Sequence, residues 1–220
     1  MKDDNNNYNA NRLRWFKEIE DSGNRVGGSW SPYTTGSYAA DAVRWLTSVF
    51  NVRTMIDLGC GCGETLRSFR SYGVQAIGIE FHPSPIKICN MPVIMHDMES
   101  GPLIMKGIDL VWSMEFVEHC NNVSATIDTL CNGKIIAMSH AVPGQAGEHH
   151  VQCHDREFWI DKIKEKDYVY LEELSDHLRT QAHGTYMSST GIMFCRRENM
   201  AELGLDQGCY WYQDGEIRKK

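Results

Sequence analysis

Between residues 54 and 139 the apolar positions change period in a regular order, from short continuous runs to helical spacing and back. Thr54 to Leu58, Val74 to Glu80, Pro92 to His96, Ile108 to Met114 and Lys134 to Ser139 read as strands. Between them, Glu64 to Ser71, a short stretch near Pro85 to Cys89, and Phe116 to Leu130 read as helices. Ala39, Val43, Leu46, Val49 and Phe50 recur at helical spacing ahead of the first strand. Strands that alternate with helices imply a parallel sheet wound by right-handed crossovers. After Ser139 the rhythm changes. A long loop, HAVPGQAGEHHVQCHD, leads to a helix at Arg156 to Lys164, an extended piece at Tyr168 to Tyr170 and a helix at Glu172 to Gln181. A late strand near Gly191 to Arg196 is expected to pair antiparallel at the sheet edge. The fold class is therefore α/β: a doubly wound, mostly parallel seven-stranded sheet with an antiparallel edge strand.

Residues 1–11 are rich in Asn and Asp and nearly free of core formers, which predicts a disordered tail. One domain is expected over 12–197. Its amino-terminal part, 12–50, holds a short helix at Arg12 to Asp21 and a Gly/Ser loop with Trp30, Tyr33 and Tyr38, a candidate lid or a helix-packing segment. Residues 198–220 form a carboxy-terminal extension without a readable pattern. The 29 acidic against 22 basic residues give a net charge of −7, which speaks against a uniformly phosphate-tracking surface. No apolar run approaches the roughly 18 residues of a membrane span, and the amino terminus is too polar for a signal peptide. The eight cysteines include no C-x-x-C pair, and Cys60 and Cys62 sit inside a glycine loop. Reduced thiols in a cytoplasmic chain are expected.

The densest chemistry lies at Asp57-Leu58-Gly59-Cys60-Gly61-Cys62-Gly63-Glu64, where a strand runs through three alternating glycines into a helix. Glycine there permits a tight turn and lets a ligand lie against the backbone. The dinucleotide fingerprint G-x-G-x-x-G would need a glycine at position 64, where this chain has Glu64. A nicotinamide reductase is disfavoured accordingly. The second strand ends at Glu80, placed to accept hydrogen bonds from ribose hydroxyls, and the third ends in His96-Asp97-Met98. In this sheet type ligands sit outside the carboxyl ends of the strands.

The order DLGCGCG, GIE, HDM, DLVWSMEFVEH resembles the class I S-adenosylmethionine-dependent methyltransferases, whose fold is Rossmann-like, over about residues 37 to 197. The resemblance implies S-adenosylmethionine as cofactor. It sets Gly59 and Gly61 against the methionine part, with Asp57 beside the loop, Glu80 at the ribose, and Asp97 and Met98 by the adenine. Cys60, Phe81 and Met114 are expected among the cofactor-binding residues as well.

Glu115, Glu118 and His119 stand at i, i+3 and i+4 and would share one face of the helix expected there. Two carboxylates and an imidazole within one turn suit a divalent metal such as Mg or Mn. The pattern E-x-x-E-H with a later histidine also resembles the metal-dependent small-RNA 2′-O-methyltransferases. That register puts His149 at the fourth metal position, with His150 the neighbouring alternative. Without metal, the same residues serve as bases, because a hydroxyl acceptor must lose its proton. His149 and His150 come first, then His119 and His154. The place of the Asn- or Asp-Pro-Pro-aromatic signature of base N-methylation reads Ser113-Met114-Glu115-Phe116 here, so a hydroxyl acceptor is expected. A small polyol, sugar or glycan leads. A ribose 2′-hydroxyl at a short RNA end is the second reading, and a non-catalytic cofactor-binding partner subunit the third. The methyl acceptor and the oligomeric state are not legible in the sequence.

Overall fold

The computed structural model describes residues 39–147 and 149–206, and the backbone of two short strands, Tyr210–Gln213 and Glu216–Lys219. The expected tail, the Arg12 to Asp21 helix, the aromatic loop, Glu148 and Cys209 lie outside the described residues. The elements follow in the order α1 (Ala40–Val49), β1 (Thr54–Leu58), α2 (Glu64–Ser71), β2 (Gln75–Glu80), α3 (Pro83–Ile88), β3 (Val93–Met95) and β4 (Ile108–Ser113). Then come α4 (Val123–Leu130), β5 (Gly133–Met138), α5 (Arg156–Lys164), β6 (Tyr168–Tyr170), α6 (Glu172–Gln181), α7 (Tyr186–Thr190) and β7 (Ile192–Arg196).

Seven strands form one sheet in the order β3-β2-β1-β4-β5-β7-β6. The first five run parallel. β7 pairs antiparallel with both β5 and β6, so it lies inside the sheet and β6 is the outermost strand. The α/β, mostly parallel, doubly wound architecture agrees with the strand–helix rhythm. Central strands show why: β1, β4 and β5 are buried along nearly their whole length, as a sheet covered on both faces requires.

Side chains alternate between two cores with the period of two that a strand imposes. Met55, Leu110, Trp112, Ile135, Ala137 and Met193 face the helices α1, α2 and α6, where Trp45, Leu46, Leu66, Phe69, Leu174 and Leu178 wait. Ile56, Leu58, Val111, Ile136, Met138 and Phe194 face α4 and α5, meeting Ile127, Leu130, Trp159 and Ile163. Leu205, in the expected carboxy-terminal extension, is buried in the first of these cores. Among the described residues no helix is long and apolar enough to cross a membrane.

One expected helix breaks. Between Phe116 and Leu130 the chain makes a 3-10 turn at Val117–His119, runs extended at Cys120, and starts α4 only at Val123. Asn122 caps α4 by accepting from the Ala125 N–H at 3.1 Å, and the Glu99 carboxylate takes the N–H groups of Asn121 and Asn122. A cap pair at Asn121-Asn122 is a stronger local signal than the apolar spacing that spans it. Glu115 itself has φ +55°. The shared helix face of Glu115, Glu118 and His119 therefore does not exist as helix geometry. The helix α7 and the Tyr210–Gln213 and Glu216–Lys219 hairpin were not foreseen either.

Trp112 is fully buried near the carboxyl end of β4 and packs edge-on against Phe69 with ring centroids 6.0 Å apart. Trp112→Ala is expected to cost about 3–5 kcal/mol through the cavity it leaves. Urea unfolding followed by circular dichroism should show a lower midpoint with an unchanged slope.

Candidate active site

The sheet reverses its winding between β1 and β4, and the loops after these two strands meet there. Leu58 and Ser113 are register partners at the carboxyl ends. After β1, Gly59, Gly61 and Gly63 have φ of +74°, +50° and +80°, a left-handed path that side-chain-bearing residues rarely take. Gly59 has a second reason to lack a side chain. An added Cβ would fall 2.4 Å from the Phe116 ring, which lies over the loop from the β4 side.

Glu80 at the tip of β2 holds the loop in place. One carboxylate oxygen accepts the Gly61 N–H at 3.0 Å, and the other accepts those of Phe81 and His82 at 2.9 and 3.1 Å. Burial raises its pKa and these three donors oppose the rise. The oxygen bonded to Gly61 keeps a further lone pair, so a bond from a ribose hydroxyl remains open to it. Asp57 is buried, and burial, with Cys89 and Glu80 nearby, pushes its carboxyl well above the usual range. Phe81 is 47% exposed beside this tip. Asp97 accepts the Glu99 N–H at 2.9 Å and caps a 3-10 turn. Met98 departs from expectation: it is 4% exposed in the second core and its sulfur accepts from the Thr129 hydroxyl. Its chain position suits an adenine neighbour, yet its side chain turns inward. Met114 packs against the first core.

After β4 the structure gathers Glu115, Glu118, His119 and His150, one potential ligand atom from each lying within 4.8 Å of the others. His150, not His149, completes this set. His150 Nε2 lies 3.4 Å from a Glu115 carboxylate oxygen, and the His119 and His150 rings stand edge to face at 5.0 Å. His149 is exposed with φ +55°, and its contribution is a backbone carbonyl that accepts from His119 Nδ1 at 3.2 Å. A carbonyl can only accept, so this bond is made by His119 with a proton on Nδ1. The late loop is fastened by the Glu118 carbonyl, which accepts from Val151 and Gln152 at 2.8 and 3.0 Å. The Ser139 hydroxyl accepts from the Glu115 N–H at 3.0 Å.

Burial lifts the carboxyls of both Glu115 and Glu118 to about 7, with Glu115 adding to the rise at Glu118. Glu118 is 1% exposed, and one of its oxygens, one of Glu115 and Nδ1 of His150 are buried without a hydrogen-bond partner. Such orphaned atoms are rare and costly, and a divalent ion would satisfy them together. The residue types fit one. Two neighbouring histidines differ from expectation. His154 stacks on Phe158 at 3.8 Å and bonds Gln152, a structural arrangement. His140, which no spacing singled out, is buried after β5 with Nε2 unpartnered, and burial lowers its pKa. Only its place beyond a central strand end could have marked it.

Residues 56–132 match the family model described as a methyltransferase domain. Over that stretch the chain is similar to a methyltransferase domain. Solved structures agree in fold. A protein of Haloferax volcanii, in complex with the Trm112 methyltransferase activator, is 14% identical with TM-score 0.55, covering 86% of this chain and 97% of its own. The [4+2]-cyclase SpnF is 14% identical with TM-score 0.52, covering 71% and 81%. Magnesium protoporphyrin IX methyltransferase of Synechocystis PCC 6803, with bound SAH, is 13% identical with TM-score 0.50, covering 60% and 73%. At these identities the likeness establishes the methyltransferase fold and leaves the acceptor open. No curated protein matches the sequence. The resemblance to RNA 2′-O-methyltransferases gains no support from these comparisons.

A carboxyl whose pKa rises from 4.5 to about 7 on folding makes the folded state the better proton binder between those values. Its contribution to stability is present below about 4.5 and lost as pH rises through about 7. Glu118→Gln keeps the shape and removes the charge. In chelator-treated protein its Tm at pH 8 should exceed that of the parent, reflecting a gain in unfolding free energy on the order of 2 kcal/mol. The two melting curves should converge near pH 4.5. A lower Tm at pH 8 would mean that the carboxylate already has its counter-charge.

Proposed function

We propose that this methyltransferase transfers a methyl group to a hydroxyl of a small polyol, sugar or glycan. The observation that carries the reading is the Glu115–His150 pair, held beside the glycine loop with a carboxyl pKa of about 7. Bound S-adenosylmethionine supplies a methyl carbon with a good leaving group, so alignment and proton removal are what the chain must add. Asp57, Gly59, Cys60, Gly61 and Glu80 line the loop that would hold the cofactor, with Phe81 offering an open aromatic face and Asp97 at the next strand end. A hydroxyl needs a base near neutrality, and a carboxylate with a pKa of about 7 beside an imidazole is suited to take its proton. His150 thereby takes the leading catalytic place, with His119 oriented by the His149 carbonyl.

A second reading shares the same residues. Glu115, Glu118, His119 and His150 would hold a divalent cation, and two imidazoles in the set favour Mn over Mg. Such an ion would polarise an acceptor hydroxyl and neutralise two buried carboxylates. A ribose diol at a short RNA end is an acceptor compatible with it, although the net charge of −7 does not favour RNA. The chain's thiols and its lack of a membrane-crossing helix among the described residues support activity in the cytoplasm.

The test is incubation with radiolabelled S-adenosylmethionine and a panel of polyols, sugars and short RNA ends, with and without EDTA. Glu115→Gln and His150→Ala should lower kcat by about 10²–10⁴ while leaving S-adenosylhomocysteine affinity unchanged. His149→Ala should stay near parental activity, and Asp57→Ala should lose cofactor binding. For the base reading, kcat/KM should climb with pH up to about 7 and then level off. Activity untouched by EDTA removes the metal and leaves the base. A Tm that rises with Mn in the parent but not in Glu118→Gln supports the metal independently of turnover. Cofactor binding with no methylated product from any acceptor would point to the non-catalytic subunit.

A further inference from the structure

Two thiols meet at the glycine loop, and neither catalysis nor the metal reading uses them. Cys60 lies within the loop between Gly59 and Gly61, and Cys89 lies at the end of α3; they are 7% and 9% exposed. The Cys60 thiol lies between the Gly61 carbonyl oxygen, at 3.8 Å, and the Cys89 sulfur, and can donate to either. Both sulfurs are wedged into space that missing side chains leave. An added Cβ at Gly63 would fall 2.4 Å from the Cys89 sulfur, and one at Gly78 would fall 2.3 Å from that of Cys60. The contact is thus built by the same glycines that shape the loop and the strand beneath it.

We propose that Cys60 and Cys89 are an oxidation-sensitive pair, in which a peroxide converts the two thiols to a disulfide that closes the loop to the cofactor. The two sulfurs are not equivalent. Cys89 receives the Cys60 hydrogen bond and a Met91 backbone hydrogen bond and has the Arg67 charge nearby, all of which lower its pKa against burial and Glu64. The contact with Cys89 and burial raise the pKa of Cys60, and the nearby Asp57 and Glu80 add to the rise. Cys89 is therefore the attacking thiolate and Cys60 the resolving thiol. The Cys89 thiolate attacks the peroxide O–O bond, giving a sulfenic acid and hydroxide, which takes up a proton as water. The Cys60 thiol then forms the S–S bond and expels a second water. Two thiols are oxidised and one peroxide is reduced to two waters.

Closing the bond brings the sulfurs to about 2 Å from a hydrogen-bonded separation, and the Cβ atoms to about 4 Å. Cys60 cannot move alone. Its own N–H is held by Ile79 at 3.3 Å and the next N–H, of Gly61, by Glu80 at 3.0 Å. The shift is therefore taken up in the backbone that would line the ligand. Bound cofactor would in turn hold the loop open and slow the oxidation.

This inference rests on the cofactor reading of the loop, and the test separates the two. The reduced full-length chain is treated with hydrogen peroxide, quenched with catalase, digested, and mapped by mass spectrometry. S-adenosylhomocysteine affinity is measured by calorimetry before and after treatment. A Cys60–Cys89 crosslink should appear, affinity should fall by about tenfold or more, and dithiothreitol should reverse both. Cys89→Ser, with Cys89→Ala as a second variant, should bind normally when reduced and keep its affinity after peroxide. Saturation with S-adenosylhomocysteine beforehand should suppress the crosslink. A linkage through Cys62 instead, no linkage, or equal peroxide sensitivity in both Cys89 variants overturns the pair. If the reduced chain binds no S-adenosylhomocysteine, the cofactor reading fails, and the gating with it, whereas the crosslink is still judged by mass.

Discussion

Four carboxyl groups, those of Asp57, Glu80, Glu115 and Glu118, are taken out of water along one edge of the sheet, and burial raises the pKa of each. Desolvated acids cost stability unless donors or positive charge answer them. Glu80 is answered by three backbone N–H groups, and that answer also sets the shape of the glycine loop. Glu115 and Glu118 are answered incompletely within the chain, with one oxygen of each unpartnered. The rest of the site is arranged around this imbalance. Proteins keep such costs where function uses them.

The topology makes the concentration of acid unavoidable. Parallel strands end at the same edge, so residues at the ends of β1 and β2 and just after β4 come together although up to 61 positions separate Asp57 from Glu118. The late loop then closes over the edge from β5, fastened by two hydrogen bonds to one carbonyl. That fastening decides which of two adjacent histidines enters the cluster. With Val151 and Gln152 bound to the Glu118 carbonyl, His150 points at Glu115, and the left-handed backbone at His149 sends its side chain outward and its carbonyl to His119. The thiol pair arises in the same way, from a loop and a helix end brought together over glycine.

Much of the framework was legible from local pattern. The helices at Arg156–Lys164 and Glu172–Gln181 and the strand at Tyr168–Tyr170 have the limits that spacing implies. The glycine loop, with Glu80 at the next strand tip, is a short-range signal that the backbone honours. Legibility failed at Phe116 to Leu130, where apolar spacing continued through a cap that only two asparagines and a distant Glu99 reveal. It failed again at Met98, because a methionine at a strand end looks the same whether it faces a ligand or Thr129.

By itself the sequence determined the sheet, its winding, and the edge that carries the candidate site, because these follow from the periods of two and 3.6 and from glycine's freedom at positive φ. The tertiary structure alone decided which side chains meet there. The choice of His150 over His149, the elevated carboxyls, the buried His140 and the Cys60–Cys89 contact depend on burial and on hydrogen bonds between residues far apart in the chain. No local period encodes those, since a side chain's partner and its access to water are set only when separate segments pack.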